Sequence, residues 1–143
     1  MIAVDTNILV HGHQREASLH ERAREAIRGL AESPVPWGVC YHSLVEFYGV
    51  VTQPRLWHEP STPVQAMDQV AAWRESPSLR IICDTPEDLA RLAGLAIGAE
   101  VRGGLIHDAR IAACCLAHGI TELWTVDRDY SRFGELRIRN PLA

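Results

Sequence analysis

Apolar positions along this chain follow two rhythms: short unbroken runs, and longer stretches spaced by three or four residues. The first is the pattern of strands buried on both faces; the second is that of amphipathic helices. Ile2-Ala3-Val4 opens the chain as a run that stops at Asp5-Thr6-Asn7 before Ile8-Leu9-Val10 resume. This predicts a short strand with a helix, Thr6 to His11, starting from its end, followed by a polar break from Gly12 to Ala17. From Ser18 the spacing is helical, with Leu19, Ala23, Ala26, Ile27 and Leu30 on one face, Ser18 and Glu21 as a capping box, and Ser33-Pro34-Val35-Pro36 as the stop. Trp37 to Tyr41 reads as a second strand. Ser43 is then a helix cap with Glu46 as its box partner, ahead of a helix that is apolar almost all round to Val51.

Gln53 to Pro63, with three prolines, is a loop or arm. Thr62 opens a helix through Ala66, Val70, Ala71 and Trp73, which Ser76-Pro77 stops. Leu79 to Cys83 is a third strand. Thr85-Pro86 is a strong helix start, and Leu89, Leu92, Ala93, Ala96 and Ile97 supply the buried stripe. Leu105 to His118 is a helix of small apolar residues closed by Gly119. Glu122 to Val126 is a fourth strand, ending in Asp127-Arg128-Asp129, and Leu136 to Arg139 a fifth at the edge. Strands alternating with helices imply an α/β fold around a mainly parallel sheet of four to five strands.

Composition changes this picture little. A chain of 143 residues, 47% hydrophobic and 22% charged, suits one domain spanning 1–143. No apolar run reaches the ~20 residues of a membrane span, and a secretory leader is not in view, so a cytoplasmic location with no membrane partner is expected. Cys40, Cys83, Cys114 and Cys115 lack metal spacing and read as buried, reduced thiols. A net charge of −4 argues against coating nucleic acid by charge alone, but leaves room for local grips on phosphate. Every basic residue is Arg, to which little weight attaches.

Asp5, Glu46, Asp108 and Asp127 stand apart from the other acids because each interrupts an apolar context. In a parallel sheet the carboxyl ends of strands share an edge with the N-termini of the following helices, so Asp5, Asp108 and Asp127 can converge there. Helix-dipole stabilisation alone would explain Asp108, and the capping box alone would explain Glu46. Convergent carboxylates repel one another, a penalty that a divalent cation removes. Oxygen-only ligands favour Mg²⁺ or Mn²⁺, and the matching chemistry is hydrolytic phosphoryl transfer.

Val4-Asp5-Thr6-Asn7-Ile8-Leu9, the helix carrying Glu46, Ile106-His107-Asp108-Ala109 with Ile111-Ala112-Ala113, and Thr125-Val126-Asp127-Arg128-Asp129 together resemble a PIN-domain nuclease, more narrowly a VapC toxin. The closing Arg139-Asn140-Pro141-Leu142 resembles the end of many such chains. The resemblance spans essentially the whole chain and implies a three-layer α/β/α sandwich with Mg²⁺-dependent endoribonuclease activity, Mn²⁺ substituting. It also implies RNA as substrate, a homodimer, and a cognate antitoxin lying over the active site. Asp5, Glu46, Asp108 and Asp127 match the four acidic positions, with Asp5, Asp108 and Asp127 as metal ligands. Thr6, Asn7 and Thr125 match the supporting polar positions. Asp129 competes with Asp127 for the direct role, which the spacing to Thr125 assigns to Asp127. Tyr130 is the aromatic expected after the second acid. Two other readings remain open: a non-toxin PIN nuclease of RNA maturation, and a catalytically inactive PIN domain that binds protein or RNA.

Arg102, Arg128 and Arg132 are candidates for RNA phosphates, set against a merely solvated surface. His11, His13 and His20 read as solvent-facing. His107 could touch substrate or pack, and Trp57 and Trp73 could serve an interface or a helix pair.

Overall fold

The computed structural model describes all residues from Met1 to Ala143. Strand β1 (Ile2–Val4) leads into α1 (Thr6–His13) and α2 (His20–Glu32), then β2 (Trp37–Cys40), α3 (Tyr41–Val51), α4 (Pro63–Arg74) and β3 (Leu79–Ile82). A 3-10 turn, Pro86–Asp88, precedes α5 (Leu89–Gly98), and another, Gly103–Leu105, precedes α6 (Ile106–Ala117). The chain closes with β4 (Glu122–Trp124), a 3-10 segment Arg128–Arg132 and β5 (Arg137–Arg139). All five strands pair in parallel, in the order β3-β2-β1-β4-β5.

That order makes β1 central. The chain grows outward through β2 and β3 on one side, then returns to lay β4 and β5 on the other. Such a reversal opens a crevice beyond the carboxyl ends of the two strands where it occurs, here β1 and β4. Period-two alternation sends Val4 and Val39 to one face and Ala3 and Cys40 to the other. Val4 and Val39 join a core closed by α1–α4, with Ile8, Leu9, Ile27, Phe47, Val51 and Trp73. Ala3 and Cys40 join a second core under α6, with Ile111, Cys115, Leu123, Tyr130 and Phe133. The result is the α/β/α sandwich expected.

Several local expectations are corrected. α1 runs on through Gly12, because the missing side chain lets it lie against α2: a Cβ there would stand 2.6 Å from Ile27 Cδ1. Ser18 does not cap α2, whose N-cap is Leu19 without a side-chain bond. α3 begins at Tyr41, two residues before the expected cap, so Ser43 lies inside the helix with its hydroxyl buried and unpartnered. Cys83 is exposed, whereas the other three thiols are buried and all four are free. His13 is not solvent-facing: it bridges Gln69 at 3.0 Å and Ser61 at 2.8 Å, and His20 bonds the His11 carbonyl at 2.9 Å. The capping box at Thr62 and Gln65 is present as expected.

Candidate active site

Asp5 sits where β1 becomes α1, and the abrupt change from apolar to polar places it at the crevice. It is 4% exposed. Its Oδ1 accepts from the Thr6 backbone N–H at 2.8 Å, as the N-cap of α1, and from the Tyr130 hydroxyl at 3.1 Å. Its Oδ2 accepts from Thr125 Oγ1 at 2.7 Å and Asn7 Nδ2 at 2.9 Å. Thr125, just past β4, ties the neighbouring strand ends together. Its hydroxyl also accepts from Asn7 Nδ2 at 2.9 Å and from the Asp127 N–H at 3.0 Å. Four donors do not offset the loss of water: burial pushes the Asp5 carboxyl from 3.8 up to about 6.

Asp108 in the first turn of α6 is also pushed to about 6, first by burial and then by the charges of Asp127 and Glu46. Asp127 caps the 3-10 segment, its Oδ1 accepting from the Asp129 N–H at 2.8 Å. Glu46 accepts from Thr6 Oγ1 at 3.0 Å, a partner forty positions away, and not from a cap at Ser43. Asp5, Glu46, Asp108 and Asp127 line one open cleft of about 280 Å³ together with Thr6 and Asn7. Asp129 does not line it; its carboxylate points outward to Arg132 at 3.9 Å. Arg102, Arg128 and Arg132 are exposed and outside the cleft wall.

Three residues reach the site without a decisive sequence signal. Tyr130 is wholly buried, and its phenol favours the charged forms of both Asp5 and Asp108; only its place after Asp129 hinted at this. His11 lines the cleft with a buried, unpartnered Nδ1. Trp57 lines it too, with its indole N–H donating to the Val50 carbonyl at 2.9 Å. Beside the cleft, His42, Glu46 and His107 bring side-chain N and O atoms within 4.8 Å of one another.

A divalent cation fits this donor set. The lining acids offer only oxygen, burial and neighbouring carboxylates raise both Asp5 and Asp108 to about 6, and no Arg lines the cleft to neutralise them.

Fold and site together define an α/β/α domain with an all-parallel sheet and a carboxylate-lined cleft at the switch point of its strand order. The chain matches the PIN domain model over residues 2–136 and belongs to that family. It is 32% identical over 142 residues to Ribonuclease VapC43 of Mycobacterium tuberculosis, covering 99% of this chain and 96% of the relative. Its fold matches that of Mycobacterium tuberculosis VapC20, described as a sarcin-ricin loop cleaving toxin, with a TM-score of 0.71 and 23% identity over 96% of this chain and 99% of that one. It also matches a chain of VapBC2 from Rickettsia felis, solved on a fragment of promoter DNA, with a TM-score of 0.71 and 19% identity over 98% of each chain. The chain is thus a PIN-domain ribonuclease of the VapC kind.

Proposed function

We propose that this VapC-type ribonuclease is the toxin of a toxin–antitoxin pair, a cytoplasmic Mg²⁺-dependent endoribonuclease in which Mn²⁺ can replace Mg²⁺. The observation that carries the site assignment is the pair Asp5 and Asp108, both raised to about 6 in a cleft they share with Glu46 and Asp127. Asp5, Asp108 and Asp127 hold the cation. When bound, it supplies Lewis acidity toward the phosphodiester oxygens and the attacking water. Glu46, fixed by Thr6, is the acid free to orient or deprotonate that water. Thr6, Asn7 and Thr125 keep the strand-end carboxylates aimed. Asp129 holds the Asp127 loop through its backbone N–H.

Exposed Arg102, Arg128 and Arg132 are available to RNA phosphates on approach. The antitoxin partner is supported by the toxin–antitoxin complex among the fold matches. A homodimer is the assembly such chains imply. No helix is long and apolar enough to cross a membrane.

The test is cleavage of RNA oligonucleotides that chelation abolishes and Mg²⁺ or Mn²⁺ restores, leaving 5′-phosphate ends. Asp5→Asn and Asp108→Asn each lower the rate by on the order of 100-fold or more. Full activity in either variant removes the assignment of roles. RNA binding without cleavage in Mg²⁺ would make the chain a binding module instead.

A further inference from the structure

His42, Glu46 and His107 look at first like a two-histidine, one-carboxylate metal site. The donors behind them exclude that reading. Arg110 on α6 forms a two-pronged ion pair with Asp84 just beyond β3, Nε to Oδ2 at 2.7 Å and Nη2 to Oδ1 at 3.1 Å. That clamp leaves Nη1 aimed at Nδ1 of His42, 3.2 Å away. A guanidinium can only donate, so His42 Nδ1 accepts. In a neutral imidazole the second nitrogen then carries the proton. Metal-bound histidines show the reverse, their outer nitrogen donating to a carboxylate or carbonyl.

His42 Nε2–H has two acceptors within reach, His107 Nδ1 at 3.1 Å and Glu46 Oε1 at 3.7 Å. Only the first is at hydrogen-bond distance. The two rings are nearly parallel, 16° apart, with centroids 5.1 Å apart. Nitrogens much closer than the centroids mean that the rings meet edge to edge, along the line a hydrogen bond needs. His107 Nδ1 therefore accepts, and the same rule puts the proton of neutral His107 on Nε2. His107 is exposed and directly precedes Asp108, with a nitrogen within 4.8 Å of the Glu46 carboxylate.

We infer that Asp84, Arg110 and His42 form a positioning relay that engages His107 Nδ1 as an acceptor and leaves its Nε2–H to donate to a backbone phosphate of the nucleic acid lying in the cleft. The inference rests on the ribonuclease reading for its substrate and on geometry alone for its relay. It gives the acidic cleft a hydrogen-bond donor at its rim, where another carboxylate would repel the substrate.

The test separates the two halves. Imidazole ¹⁵N NMR of the whole protein without RNA reads the tautomers directly. The expected result is Nε2–H on both His42 and His107, with Arg110→Met abolishing the single tautomer of His42. A proton on Nδ1 of His42, or cobalt(II) absorption bands lost in His42→Ala, overturns the relay. In RNA cleavage with Mg²⁺, His107→Asn raises KM by ~10-fold, with kcat changed much less. His107→Gln, which keeps an N–H near the position of Nε2, restores most of the loss. Equal KM for wild type and His107→Asn, or equal loss in Asn and Gln variants, overturns the substrate contact while leaving the ribonuclease reading in place. No cleavage or binding of RNA by the wild type removes both that contact and the ribonuclease reading.

Discussion

Asp5 accepts four hydrogen bonds and yet binds its proton more tightly than an ordinary carboxylate. Each bond favours the charged form, but a side chain 4% exposed has almost no water left, and that deficit exceeds what the donors return. In the proposed function, that deficit readies Asp5 for a cation in place of a proton. Tyr130 is the donor best suited to test this, because its phenol donates to Asp5 Oδ1 while its ring packs against Phe133 with centroids 6.2 Å apart. Tyr130→Phe keeps that packing and removes one donor. The Asp5 carboxyl then rises further, metal must displace a more tightly held proton, and the Mn²⁺ concentration for half-maximal cleavage increases by about 10-fold. Fold stability falls by only about 1 kcal/mol. Metal titrations and denaturant unfolding on the same variant read both numbers, and an unchanged metal requirement would show that Tyr130 is only core.

Helix starts show how far local signals carry. Thr62 with Gln65 satisfies the first turn of α4 as the spacing foretells, because both partners lie within one turn and nothing distant competes. Ser43 with Glu46 has the same spacing, but α3 starts at Tyr41, straight from β2, and carries Ser43 into its interior. Glu46 is then released to Thr6 across the cleft. The two serine and threonine positions therefore respond in opposite directions. Thr62→Ala costs about 1 kcal/mol. Ser43→Ala removes a buried, unpartnered hydroxyl and substitutes the best helix former, adding about 1 kcal/mol. Thermal unfolding of the pair checks this, and a destabilised Ser43→Ala would restore the capping role.

For the molecule as a whole, the acidic cleft makes stability depend on pH and metal together. Asp5 and Asp108 have native values near 6 against an ordinary 3.8. Between about pH 4 and 6 the native state therefore holds protons that the unfolded chain has released. Stability from these groups falls as pH rises through that window, and the loss is complete above about 6. For Asp5 alone the difference between pH 5 and 7.5 is about 1–1.5 kcal/mol. Without metal, the wild type loses that much more stability than Asp5→Asn over this interval, as denaturant unfolding at the two pH values would measure. Added Mg²⁺ or Mn²⁺ raises Tm at pH 7.5 and much less at pH 5, where protons hold the same oxygens. A Tm that metal shifts equally at both pH values would show that these carboxyls are not its ligands.

The strand runs, the helix stripes, the alternation that implies a parallel sheet, and the acids that interrupt apolar stretches could all be read from the chain itself. Each depends on spacing within one element, where backbone geometry sets the period. The strand order could not be read this way, and that order makes β1 and β4 neighbours and brings Asp5 to Thr125 and Tyr130, positions 120 and 125 residues away. Nor could the partner of Glu46, the outward turn of Asp129, or the line from Asp84 through Arg110 and His42 to His107. Those contacts join separate strand ends and helix starts, so only the packing of the layers on both faces of the sheet decides them. The residue types were written in the chain; which carboxylate lacks water, and which nitrogen carries a proton, the tertiary structure decided.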